Sequence, residues 1–192
     1  MQYQAVVFDM DGVIFDTERL VIEFWKEVAK KHNIPNIEHT CIQCLGTNRV
    51  RTREIFLENY GADFPFDPYR AEVTELFNTH YKGVPLPTKP GIRELLSYLQ
   101  EQDIKVGLAS STAQHLVRDE IGTAGLLPYF QTLVCGDMVE HSKPAPDIFL
   151  KACEILNADP TKSIAIEDSF NGIRSAHCAG MTPIMVPDQV QP

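Results

Sequence analysis

Apolar residues fall along this chain in two rhythms. Short apolar runs at 4–9, 104–109, 132–135, 163–167 and 182–186 have the length and composition of buried strands. Most lead into a polar cluster and then a helical spacing of apolar positions. After Ala109 come Ser110, Ser111 and Thr112, a cluster suited to cap a helix that reaches about Ile121. Pro144 and Pro146 precede the amphipathic stretch "DIFLKACEIL", 147–156. "SIAIEDS" leads into "FNGIRSAHCAG", a helix with Gly180 as the residue just past its end. Strands alternating with helices predict βαβ units and a doubly wound parallel sheet, an α/β fold.

Residues 15–87 break the alternation. They read as helices only, at 18–32, about 48–59 and 68–82, and end in the connector "GVPLPTKPG". The expected organisation is a core domain of 1–14 and 88–192, with a helical cap domain of 15–87 inserted between the first strand and the helix at 91–102. A lobe carried on two adjacent linkers can hinge, which suits a lid.

Totals narrow the function classes. The 192 residues suffice for one core with an inserted lobe. Seventeen basic against 26 acidic residues leave a net charge of -9, which argues against a general binder of nucleic acid or anionic membranes. A small anionic substrate is still compatible, because one pocket can be locally positive. No stretch is long and apolar enough to span a bilayer, and the N-terminus runs directly into the first strand without a secretory pattern. The five cysteines are odd in number and scattered, so a reducing cytoplasm is expected. A monomer is the expected state.

The ends of the strands carry the chemistry. Ligands of an open parallel sheet bind beyond its carboxyl ends. The first strand ends in Asp9 and Asp11 with Gly12 behind them, and the second in Ser110 and Ser111. Lys143 follows the third, in "HSKPAPD", and Glu167 with Asp168 ends the fourth. Acids, a lysine and hydroxyls can hold a divalent cation and a phosphate together; magnesium favours a few carboxylates plus phosphate oxygens. Phosphoryl transfer needs an in-line nucleophile and charge neutralisation. Asp9 can attack phosphorus, and Asp11 can protonate the leaving oxygen and later deprotonate water. Gly12 would let backbone approach the phosphate.

"FDMDGVIFDTE", "LASS", "SKPAPD" and "IEDSFNGI" match, in order, the four motifs of the haloacid dehalogenase-like phosphohydrolases. The chain most resembles the subgroup that includes β-phosphoglucomutase and related sugar-phosphate phosphatases. The resemblance covers nearly the whole sequence. It implies Asp9 as nucleophile and Asp11 as acid/base, with Ser110, Ser111 and Lys143 on the phosphoryl group. It implies a magnesium ion held by Asp9, the Asp11 main-chain carbonyl and Asp168, with Glu167 in or beside the shell. It also implies substrate contact from Thr47, Asn48 and Arg49 of the cap. The expected activity is hydrolysis of a small phosphate monoester, such as a sugar phosphate, through an aspartyl-phosphate.

Some positions depart from the mutase pattern. Leu45 stands where the mutase has a cap lysine before the glycine, and Ala113-Gln114 replaces a lysine-asparagine pair. These favour a phosphatase over a phosphosugar mutase. A catalytically silent metabolite-binding protein on the same fold is a further class, disfavoured by the full set of catalytic residue types. Relatives usually continue past "PIMVPD", so an exposed sheet edge is expected there.

Plainer uses exist for each residue. Asp9 and Asp11 could be turn or cap residues. The glycine of Asp-x-Asp-Gly falls in the wrong place for a calcium loop. Glu167 and Asp168 could complement a helix N-terminus, and Lys143 could be a surface lysine. Thr47 could cap a helix, leaving Arg49 in solvent. Cys41 and Cys44 have no further pair to complete a zinc site and read as ordinary thiols.

Overall fold

A computed structural model describes residues 3–44 and 49–187, with nothing described for the Arg49 side chain. These fall into two compact units. One comprises 3–16 and 85–187, the other Thr17–Val84.

The first unit is built on five parallel strands: β1 (Ala5–Phe8), β2 (Lys105–Ser110), β3 (Thr132–Cys135), β4 (Ser163–Glu167) and β5 (Thr182–Met185). Their spatial order is β3-β2-β1-β4-β5. From β1 the chain steps to β2 and β3, then returns to the other side of β1 for β4 and β5. The topological switch therefore falls at β1, where a crevice opens beyond the strand ends. The expected parallel α/β sheet is present.

Helices cover both faces, as crossovers between parallel strands require. They are α5 (Ile92–Glu101), α6 (Gln114–Thr123), α7 (Asp147–Leu156) and α8 (Phe170–Cys178). Ala5, Val7, Ala109, Val134 and Ala165 point to one side and pack with Ile148, Phe149, Ala152 and Cys153 of α7 and Ala176 of α8. Alternate residues Val6, Phe8, Ile164, Ile166 and Ile184 face Leu95 and Leu99 of α5 across an apolar groove. The end of α8 follows the sequence expectation. Gly180 takes φ +80°, its N–H donates to the His177 carbonyl, and the Met181 N–H donates to Ala176.

The start of α6 does not. Its capping residue is Ala113, not the Ser110-Ser111-Thr112 cluster. The Gln114 N–H is instead satisfied from β3's side, by Asp137 Oδ1 at 3.1 Å. Gly136 allows this, because a Cβ there would lie 2.2 Å from the Ser111 carbonyl oxygen.

Among the described residues, β5 is an edge strand. The Val186 N–H donates to the Glu167 carbonyl at 2.8 Å. Ladder alternation then turns Thr182 and Ile184 toward β4, and Pro183 and Met185 toward the open edge. Proline, with no N–H, thus stands where its missing donor faces outward.

The second unit is all helical: α1 (Thr17–Lys31), α2 (Ile37–Cys44), α3 (Arg49–Tyr60) and α4 (Phe66–His80). Trp25, Phe56, Phe66 and Tyr69 form its aromatic core, and the Tyr69 hydroxyl donates to the Trp25 carbonyl at 2.6 Å. Helix α2 is absent from the sequence reading. It is short, and its buried set of Ile37, Thr40 and Cys41 carries only two apolar residues. The Thr40 and Tyr60 hydroxyls, 2.8 Å apart, tie it to α3. Burial pushes the Cys41 thiol up to about 12, reinforced by Cys44, and burial pushes Cys44 up to about 11. Neither thiol is poised as a nucleophile.

Candidate functional site

Asp9 stands one residue past β1, and its N–H extends the ladder to the Ile166 carbonyl at 2.9 Å. The loop then turns tightly: Ile14 N–H donates to Met10, and Gly12 N–H to Phe15, both at 2.9 Å. Gly12 has φ +75°, and a Cβ there would fall 2.1 Å from Asp168 Oδ2. Only glycine lets this turn lie against Asp168.

Lys143 is the centre of the cluster. Its side chain is 7% exposed, and its ammonium donates to Asp9 Oδ1 at 2.5 Å, Glu167 Oε1 at 2.6 Å and the Ala109 carbonyl at 2.8 Å. All three protons are thereby used, one of them on the carbonyl that precedes Ser110. Burial lowers Lys143, but the charges and hydrogen bonds of Asp9 and Glu167 outweigh it, so its pKa is raised. Burial raises Asp9 well above the usual carboxylate range; Lys143 opposes this, while Glu167 and Asp11 add to it.

Glu167 is almost wholly buried and fully partnered. Its second oxygen accepts from the Ser169 N–H at 3.1 Å and hydroxyl at 2.9 Å. Gly172 makes room for it, since a Cβ there would lie 1.7 Å from the carboxyl carbon. Ser169 also caps α8 by accepting from the Gly172 N–H. Glu167 is therefore Lys143's counter-ion and an anchor for the next helix. Asp9, Glu167 and Asp168 each bring an oxygen within 4.8 Å of the others. Three hard oxygen donors at that spacing fit a divalent cation such as magnesium.

The other predicted residues divide. Ser110 is 1% exposed at the end of β2, its Oγ accepting from the Thr112 N–H at 3.1 Å. Ser111 is exposed. Asp11 lies beyond β1, with Oδ2 accepting from the Thr112 hydroxyl at 3.2 Å. Thr47 and Asn48 lie outside the described residues, as does the Arg49 side chain.

Two polar features were not visible in the sequence. Lys89 pairs with Asp16 at 3.1 Å, joining residues 73 apart where the two linkers meet. Glu120, on α6, has a carboxyl oxygen that is buried without a hydrogen-bond partner among the described residues. Burial, and then the charges of Asp11 and Asp119, push its carboxyl up to about 7. Its unfolded value is near 4.5, so the folded state retains a proton that the unfolded chain has released. Stability is therefore lost as pH rises from about 4.5 to about 7. Glu120→Gln removes the titration. It should stabilise the protein by about 1 kcal/mol at pH 8, with residual solvation trimming the full effect, and leave it unchanged near pH 4. Denaturant melts at the two pH values check this.

Carboxylates and a buried lysine converging on the switch point of a parallel sheet mark a class of enzymes that act on phosphoryl groups. Residues 6–186 match the haloacid dehalogenase-like hydrolase family, and the chain belongs to it as a phosphohydrolase. It is 33% identical to the phosphorylated carbohydrates phosphatase of Thermotoga maritima, over 94% of this chain and 83% of that protein. It is 35% identical to the β-phosphoglucomutase of Bacillus subtilis, over 95% and 83%. A crystal structure from Thermotoga maritima superposes with a TM-score of 0.80 at 32% identity, covering 100% of this chain and 88% of that one.

Proposed function

We propose that the protein hydrolyses small phosphate monoesters, sugar phosphates above all, through an aspartyl-phosphate on Asp9 with magnesium as cofactor. The observation that carries the reading is the buried Asp9 at the switch point, bridged by Lys143 to Glu167 and within reach of Asp168. The similarity to a phosphorylated carbohydrates phosphatase supports the substrate class.

Asp9, the Asp11 main-chain carbonyl and Asp168 would hold the cation, with Glu167 beside them. The cation would supply positive charge against the phosphoryl oxygens and keep Asp9 ionised against its burial. Asp9 is the nucleophile because it is fixed by the β1–β4 ladder at the crevice floor. Lys143 and the Ser110 hydroxyl hold the phosphoryl oxygens, one oxygen taking over a lysine donor now spent on a carboxylate. Asp11 protonates the leaving alcohol and then takes a proton from the attacking water.

The test is phosphate release from a panel of sugar phosphates and an aryl phosphate, with magnesium and with chelator. Release that requires the metal is expected, with sugar phosphates ranking above non-sugar esters. Conversion of β-glucose 1-phosphate to its 6-phosphate without net phosphate release would show a mutase instead. Absence of any turnover by folded protein would show a binding role.

A further inference from the structure

Lys143 sits on a loop, 139–146, in which two prolines, Pro144 and Pro146, have no N–H to give. The Ala145 N–H donates back to the Ser142 carbonyl at 3.0 Å, closing a turn around Lys143 and Pro144. The Ala145 carbonyl is held from outside the loop. The Ser175 hydroxyl, on α8, donates to it at 2.6 Å. Ser175 is fully buried and stands 30 residues along the chain from its acceptor.

Helix α8 thereby holds both members of the buried ion pair. At its start the Ser169 hydroxyl donates to the Glu167 carboxylate, and Gly172 makes room for that carboxylate. Ser175 follows Gly172 by three residues, on the same helix face. From Ser169 to Ser175 the helix rises about 9 Å, a fixed spacing along a rigid rod. The counter-ion and the lysine's loop are thus referenced to one element.

We propose that Ser175 is a positioning residue for phosphoryl transfer: by tying the Ala145 carbonyl to α8, it sets where the Lys143 ammonium stands relative to Asp9. The inference rests on the phosphoryl role given to Lys143 above. Lysine carries its charge on a flexible four-carbon stem, so the ammonium is placed only as well as the backbone beneath it. In the resting site that ammonium spans Asp9, Glu167 and the Ala109 carbonyl. To serve the reaction it must turn one donor to a phosphoryl oxygen and keep the others. A misplacement of about 1 Å is enough to cost up to about a hundredfold in rate. Without the Ser175 hydroxyl the Ala145 carbonyl loses its partner, and the loop can shift toward water to find another. Ser175 touches no substrate; it acts through Lys143.

Ser175→Ala removes the hydroxyl in a helix where alanine is the better former, so α8 itself should hold. Two measurements are made with magnesium present. One is turnover of a sugar phosphate. The other is calorimetric titration with orthovanadate, whose five-coordinate form mimics the phosphoryl group during transfer. Both kcat and vanadate affinity should fall about tenfold or more. The magnesium activation constant should not change, since the candidate carboxylates lie at the ends of β1 and β4. A purely structural Ser175 would lower the melting temperature and leave kcat and vanadate affinity as they are; that result overturns the proposal. An equal loss of magnesium affinity also overturns it, because the damage would then lie at the metal and not at Lys143. Ser175→Cys, which fills the site with only a weak donor, serves if the alanine variant does not fold. Failure of the hydrolase reading shows separately. If wild type releases no phosphate from any ester, that reading has failed, and the vanadate titration decides on Ser175 by itself. A tenfold loss of affinity then upholds the positioning role; equal affinity, or no binding by wild type, overturns it.

Discussion

Asp9→Asn is expected to lower phosphate release by about a thousandfold or more while leaving the protein folded. Asparagine matches the shape of the carboxylate but is a far weaker nucleophile and can form no aspartyl-phosphate. Its carbonyl oxygen can still accept from Lys143, and the lysine's contacts to the Glu167 carboxylate and the Ala109 carbonyl are untouched. The fold should hold for a second reason. Asp9 has a pKa raised first by burial, so its charge in the metal-free protein is costly and its neutral replacement is not. Rapid-quench assays with a labelled substrate, alongside thermal melts, check both halves. Wild type should trap phosphate covalently, and the variant should trap none. A variant with wild-type turnover would move the nucleophile elsewhere.

Lys143→Met should do the reverse of a clean catalytic knockout and damage activity and stability together. The ammonium sits between two buried carboxylates, and its removal leaves Asp9 and Glu167 facing each other unneutralised. Breaking a buried pair by deleting one partner costs about 3–5 kcal/mol. For a chain of this size that is a fall in melting temperature of about 10 °C. One carboxylate would take up a proton to relieve the repulsion, so the loss should be smallest at low pH. A double variant, Lys143→Met with Glu167→Gln, should recover part of the stability and none of the activity, because the phosphoryl group still lacks its cation. Recovery of turnover in the double variant would mean that Lys143 serves the fold only.

Much of this was legible in the sequence, for physical reasons that differ by element. Strands β1 to β4 could be read because buried parallel strands are continuous apolar runs that end where a turn or polar cluster begins, and β5 because its edge position still keeps a short apolar run. Asp9, Lys143, Glu167 and Asp168 could be grouped because a parallel sheet delivers every strand's carboxyl end to one edge. Helix α2 was not legible, since two apolar residues and a threonine make no clear stripe over 37–44. The capping expectation for Ser110, Ser111 and Thr112 fails for another reason. Their residue types are ideal caps, and only the close approach of Gly136 brings Asp137 in to take that role. Glu120 and the Thr112–Asp11 contact depend on which residues of distant segments meet. No local pattern announces such a meeting.

Pro183 bears on how the molecule behaves in a crowded solution. A flat edge strand offers every second donor to any extended peptide that comes alongside, and two such edges can zip together into a continuous sheet. On β5 the ladder would meet a gap at its second residue. Only Met185 of the outward pair retains a donor, too few to hold a register. Among the described residues this rim is poorly suited to taking on a further strand, a safeguard against polymerisation written into one ring of three methylenes.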